Sequence, residues 1–408
     1  MTRERRYDVT VFGATGFTGR LAAEYLLGRM RGREARLALA GRSRAKLEAV
    51  RRSLAVAMPG AESAEVVLAD ASEPRSLAAL AEASRVVLTT VGPYLRYGEG
   101  LVAACAAAGS DYVDLTGEGA FVDAMIERHG AAARASGARI VHACGFDSIP
   151  ADVGARYALE QLPDGAPADV AAYVQSGGDH PDWRGSWHSV SGGTWHSAIG
   201  FLRAGELARG RRSLARISAS APTGRTVAAL PERIGRAPAE VGGWALPMPS
   251  IDREVVLRTA AADPRYGPRF RYGHHLRVGS AAGVAAAGLG VAALFGLAQL
   301  PPTRRLLLSL KQPGDGPSPE ERARNRFCVT FVATAPGARA VVSVSGGDPG
   351  YGDTAKMIGE AALCLADERD RLPDRAGILT PVLALGDSLL PRLRAAGIAV
   401  DRHETRAT

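Results

Sequence analysis

The stretch DVTVFGATGFTGRLAAEYL, Asp8 to Leu26, leaves this chain few architectures to choose from. A short run rich in β-branched residues, DVTVF (8–12), breaks into Gly13, Gly16 and Gly19 and then into apolar residues at helical spacing. A strand, a glycine turn and a helix in that order open a βαβ unit. Gly13 allows the tight turn, Gly16 lets backbone approach a pyrophosphate, and Gly19 lets the helix lie close on the strand. The unpaired N–H groups at the head of that helix are suited to phosphates. Thr15 and Thr18 add hydroxyl donors on either side of Phe17 in the same loop.

The alternation continues. Strand patterns at 8–12, 36–41, 65–69, 85–91, 111–115 and 138–143 are separated by helical patterns at 17–30, 44–55, 74–83, 98–108 and 120–136. This many strand–helix repeats imply parallel strands with right-handed crossovers, hence an α/β, doubly wound Rossmann-type sheet over 1–162. PDGAPAD (163–169) reads as a boundary. Residues 163–348 then predict a second, α+β domain of mostly antiparallel strands. Its cues are strand-like 168–176, helix-like 193–210, strand-like 250–260 and a hairpin over 325–347, with a Pro/Gly loop at 311–321. The segment 349–408 reads as helical and is expected to pack back on the first domain, which makes the second an insertion.

The end of the second strand selects the dinucleotide. NAD sites usually place Asp or Glu there to hold the ribose 2′-hydroxyl. Here the sequence is LALAGRSRAKLE, with Arg42 and Ser43 at the critical place and no carboxylate before Glu48. A guanidinium suits a 2′-phosphate, so the expected cofactor is NADP. Asp70, after the third strand, is a candidate for the adenine amino group; a helix N-cap is the alternative. The nicotinamide belongs beyond the carboxyl ends of the central strands, near VGPYLRYGE (91–99), DLTGEGA (114–120) and HACGFDSIPAD (142–152). Gly92 and Pro93 stop the fourth strand there. Asp147 and Ser148 either line that site or cap the helix they precede.

Other classes fit poorly. The net charge is +8, yet the basic residues are scattered arginines, with Lys only at 46, 311 and 356, so no nucleic-acid partner is expected. Cys105, Cys144, Cys328 and Cys364 form no CxxC and sit in apolar runs, as buried thiols of a reducing compartment do. The N-terminus enters a strand without an apolar leader. The expected location is therefore cytoplasmic. The residues four before each Lys are Arg42, Leu307 and Gly352, so the Tyr–Lys pair of short-chain dehydrogenases is missing. His180, His188 and His196 lack compact ligand spacing, and no metal is expected. One segment, 278–300, carries no charge; a span, a lipid-touching hairpin and a buried or interface helix all stay open for it. Its Ala and Gly content weakens the first of these.

GATGFTG, AGRS, TVGPY followed by GE, YVDLTGE, GFDSIPAD, KQPGDGPSPEER and SGGDPGYGDTAKMIGEAALCLA together resemble the saccharopine dehydrogenase-like oxidoreductases, in particular their trans-acting enoyl reductase group. The resemblance runs from Asp8 to about Leu393, and SGGDPGYGDTAKM (345–357) is its most specific block. It implies an NADPH-dependent reductase working with a polyketide synthase on a carrier-bound α,β-unsaturated acyl chain in complex-lipid synthesis. A polyketide synthase or acyl carrier domain is then the expected partner. Reduction develops charge on a thioester oxygen and needs a proton donor. Tyr94 is the expected donor, with Tyr112, Thr116 and Asp147 behind it, while Tyr351 and Asp353 either close over the nicotinamide or belong to a helix start with Asp353 or Thr354 as its N-cap. A reductase of another small or amino-acid-like substrate and a non-catalytic lipid-associated protein are the competing readings.

Overall fold

The computed structural model describes residues 5–177, 199, 204–310 and 316–407. The run with His180, His188 and His196 lies outside the described residues, as do 311–315 of the Pro/Gly loop. The helix read at 193–210 is described from Ala204 onward, apart from Ile199, and there a helix spans Ala204–Ser220.

The chain divides into two compact units, Met1–Phe146 with Tyr351–Ala396, and Asp147–Gly350 with Gly397–Thr408. The first unit holds a seven-stranded sheet, all pairs parallel. Its spatial order is Gly377–Leu379, Arg139–Val141, Asp111–Val113, Ser84–Thr89, Tyr7–Phe12, Leu37–Gly41 and Glu65–Leu68. The order reverses between Tyr7–Phe12 and Ser84–Thr89. In sheets wound this way, ligands bind outside the carboxyl ends at that switch point. One core cluster packs Leu77, Leu101, Val102, Tyr112, Phe121 and Met125 together, joining helices to the sheet.

Residues 351–396 complete this unit. The helix Gly352–Asp367 lies against the helix Phe17–Met30 and is buried over most of its length. Glu360 is fully buried on it. Its carboxylate accepts from the Tyr25 hydroxyl at 2.6 Å, Arg29 Nε at 2.6 Å and Arg392 Nη1 at 3.0 Å. A buried charge survives only when paired and hydrogen-bonded in this way. The expected boundary at 162 falls instead after Phe146. The helix Ile149–Leu159 explains the shift, since it packs on the second sheet.

That second sheet has eight strands and is mixed, mostly antiparallel. Ala168–Gly177 lies at its centre, paired to Arg326–Ala335 of the hairpin with Ala338–Gly346. Ala168–Gly177 pairs in parallel with Arg269–Val278. Two sequence readings fail here. SIDREVVLRTA, read as a strand, is the helix Ile251–Ala262. Its residues are buried on almost every side, so no single apolar stripe marks the helical period. The tail, read as helical throughout, ends in the strand Ala399–Ala407, which pairs with Ala338–Gly346. This strand is largely exposed and dense in charge, so it shows no apolar run.

Replacing Glu360 by Ala would leave Arg29 and Arg392 without their shared carboxylate. Urea unfolding should then show a loss of about 2 kcal/mol, whereas an unchanged midpoint would mean that the cluster contributes nothing.

Candidate active site

The opening glycines sit where the sheet order reverses. Gly13 has φ +94°, and a side chain there would meet Val91 and Thr90. At Gly19 a Cβ would run into the Gly13 carbonyl. Only a glycine lets the helix Phe17–Met30 start this close to the strand. Gly16 occupies its N-cap position; no side chain caps it, and its first turn has no acid. Its first-turn N–H groups thus keep their positive end open to an anion. Thr15 and Gly16 are exposed, while Phe17 and Thr18 are half-buried.

Beyond Leu37–Gly41, Arg42 is exposed, and Ser43 caps the next helix by accepting from Lys46 N at 3.4 Å. No acid occupies the first turn of that helix either. This donor set suits a phosphate and lacks the carboxylate that a bare ribose would call for. Asp70 accepts from Ser72 N at 2.8 Å and Ser72 Oγ at 2.7 Å. These bonds, and then the Arg42 charge, hold its carboxyl below the usual range. The N-cap alternative for Asp70 is corrected: the next helix begins at Pro74, with Glu73 at the cap.

At the carboxyl ends of the central strands the polar groups are already committed. Gly92 and Pro93 are exposed and lead into the short helix Tyr94–Tyr97. Tyr94 is buried; its hydroxyl donates to the Thr89 carbonyl at 3.2 Å and accepts from Leu115 N at 3.1 Å. Tyr112 is fully buried and donates to Asp114 Oδ2 at 2.9 Å. Burial pushes both phenols well above their ordinary pKa. Each phenol thus places its one O–H inside the unit, which speaks against the expectation that Tyr94, or Tyr112 behind it, donates the proton. Thr116 is likewise buried, its hydroxyl accepting from Glu118 N at 3.1 Å.

The sequence reading missed two carboxylates that organise these loops. Asp114 is fully buried and also takes His142 Nδ1 at 2.7 Å, Ala143 N at 2.9 Å and Thr116 N at 3.1 Å. Glu118 accepts from Tyr94 N at 2.8 Å and Leu95 N at 2.9 Å, so it caps the short helix from another loop. The available signal was a polar residue just after an apolar strand, as in DYVDL and ARIVHA. Its partner was not readable.

Tyr351 is buried with its ring edge-on to Phe17, centroids 4.7 Å apart. Thr354 Oγ1 accepts from Phe146 N at 3.0 Å. The most specific block of the sequence therefore buttresses the glycine loop. Neither Asp353 nor Thr354 is the cap of the helix that follows, since it starts at Gly352 with Tyr351 in the N-cap position. Asp353 pairs with Lys356 at 2.7 Å.

In the second unit, Ser148 holds the N-cap position of Ile149–Leu159 without a capping bond from its side chain. Burial of the Asp147 carboxyl, and then the Asp252 charge, push its pKa up to about 7. Asp252 Oδ2 accepts from Ser250 Oγ at 2.5 Å and lies 3.4 Å from His274 Nε2. His274 Nδ1 pairs with the Tyr272 hydroxyl at 2.9 Å. Burial lowers the His274 pKa, so its ring is neutral near pH 7. Among the described residues, no group of three or more His, Cys, Asp or Glu could hold a metal ion.

The saccharopine dehydrogenase NADP binding domain family matches residues 9–141. A Mycobacterium ulcerans protein named trans-acting enoyl reductase is 37% identical, with 97% of this chain and 98% of the other covered. A protein of the same name from Mycobacterium bovis is 38% identical over the same shares. A Mycobacterium tuberculosis protein provisionally given that name is 42% identical over 97% of both chains. Among solved structures, apo saccharopine dehydrogenase (L-Glu forming) from Saccharomyces cerevisiae has TM-score 0.53 at 12% identity, covering 98% of this chain and 99% of its own. That likeness speaks for the fold.

Arg42→Ala should weaken NADPH binding by about tenfold to a hundredfold, the value of a lost charge-assisted phosphate bond. It should leave NADH binding nearly unchanged. Calorimetric titration of both coenzymes checks this, and an unaltered preference would remove Arg42 from the site.

Proposed function

Because this chain belongs to the trans-acting enoyl reductase family, we propose that it reduces the double bond of an α,β-unsaturated acyl thioester with NADPH. The acyl chain arrives on a carrier domain, and the partner is a synthase whose own enoyl reduction is missing. The cytoplasm is the proposed place of reaction. Bound NADPH supplies the hydride for the β-carbon.

The observation that carries the cofactor side of this reading is the exposed Arg42, with the half-buried Ser43 beside it, where a carboxylate would mark NAD. The uncapped head of Phe17–Met30 holds the pyrophosphate, through the N–H groups of its first turn and Thr15 and Thr18. Phe17, braced by Tyr351, keeps the loop in shape. Tyr94, Tyr112, Asp114 and Glu118 act as positioning residues, since their hydrogen bonds tie the three loops at the strand ends together.

The α-carbon also needs a proton. Asp147 is the proposed acid. It follows Phe146 directly in the HACGFDSIPAD loop, and a pKa near 7 leaves a large share of its carboxyl protonated at neutral pH. A general acid works best when its pKa lies near the working pH. Asp252, whose charge helps raise it, and the neutral His274 with Tyr272 beyond it form the polar surroundings.

Purified protein should consume NADPH with a short enoyl-pantetheine thioester and leave saccharopine with NADP untouched; the opposite pattern would overturn the reading. With Asp147 as acid, the wild-type rate should fall as pH rises through about 7, because the required proton is lost. Asp147→Asn should slow turnover roughly a hundredfold and abolish that limb. A variant that keeps both rate and limb would exclude Asp147.

A further inference from the structure

The helix Ala281–Gln299 of the second unit is out of character with the rest of the chain. Its most apolar window has mean hydropathy 2.0, and 6% of that window is buried. Ala298 is the one buried residue described on it, packed on Ile199 and Leu307. Leu289 is 74% and Val291 48% exposed. At about 100° per residue these two project roughly 200° apart. A protein partner laid along one side would cover one of them; a surrounding apolar medium covers both. The next helix, Pro301–Ser309, continues the surface, with Leu306 and Leu310 exposed.

Charge at the ends points to the occupant. No Asp or Glu occurs between Asp263 and Asp315. At the start of the helix, Trp244 stands opposite Val278 in the sheet register, with the Arg236 guanidinium 5.6 Å from its ring centroid. Arg277 is next to Val278, and Arg304 and Arg305 follow the far end. Tryptophan and arginine beside an apolar helix are the side chains that settle at lipid headgroups. A full crossing is disfavoured. The chain must return to the strand Arg326–Ala335 of the same sheet, and a nine-residue second helix reaches only about 14 Å against roughly 30 Å of hydrocarbon.

We propose that Ala281–Gln299 and Pro301–Ser309 form a monotopic hairpin that sinks into one leaflet of an anionic bilayer without crossing it. The apolar residues enter the acyl boundary, and Arg236, Arg304 and Arg305 meet the headgroup phosphates. This stands apart from the enoyl reductase reading, because neither helix belongs to the proposed catalytic machinery.

The test is flotation of the full chain with vesicles of equal parts phosphatidylcholine and phosphatidylglycerol, and with phosphatidylcholine alone. Wild type should float with the anionic vesicles, less so with the neutral ones, and the bound fraction should drop between about 0.1 and 0.5 M salt. Leu289→Glu with Val291→Glu should lower it by about tenfold. Arg304→Glu with Arg305→Glu, which spares the apolar surface, should lower it as well. NADPH affinity, measured in parallel, should be retained by both variants. Wild type that stays with the unbound protein, or both variants floating as it does, would overturn the proposal. So would a lipid-free dimer that Leu289→Glu dissociates while flotation is absent, since the occupant would then be a second copy of this chain.

Discussion

Gly19 has no side chain to meet the Gly13 carbonyl, and the cofactor half of the molecule follows from that contact. The absence of a Cβ lets the helix Phe17–Met30 begin directly over the end of its strand. That closeness brings the first-turn N–H groups to the place where the sheet order reverses. With no capping side chain and no acid nearby, their partial positive charge remains available. A bulkier residue would push the helix outward and separate the donors from the strand end that positions the ligand.

The loops around this point are held by engaged carboxylates, Asp114 fully buried and Glu118 half-buried. Asp114 ties Tyr112, His142 and two backbone N–H groups together, and Glu118 caps a helix that begins in a different loop. Such networks are costly when incomplete and rigid when complete. They turn what a sequence presents as catalytic-looking residues into scaffold. Tyr94 is the clearest instance, because its hydroxyl has a donor and an acceptor role inside the unit. Glu360 does the same work on the opposite side, fastening Gly352–Asp367 to the first helix through Tyr25 and Arg29.

Much of the first unit was legible. Helices expected at 17–30 and 74–83 are Phe17–Met30 and Pro74–Ala83, because their periodic patterns and glycine or proline boundaries are local signals. Where local signals were weak, the reading slipped. The helix Ile251–Ala262 is buried on nearly all sides, so its pattern lost the stripe that marks a surface helix. The strand Ala399–Ala407 sits at a sheet edge and carries charge along its length. Gly377–Leu379 is only three residues long, too short to announce a strand. In the site, residue types were readable and partners were not. Glu118 is 24 residues from the Tyr94 N–H it caps.

The sequence by itself determined the dinucleotide loop and the coenzyme preference. Both readings rest on residues within a few positions of one another, Gly13 to Gly19 and Gly41 to Ser43, where chain geometry is dictated by neighbours. Only the tertiary structure decided which polar groups are free and which are engaged. It also decided that the last strand leaves the tail for the second sheet, and that an apolar helix lies in the open. Those outcomes depend on contacts between residues far apart in the chain, and burial is a property of the packed molecule that no short stretch contains.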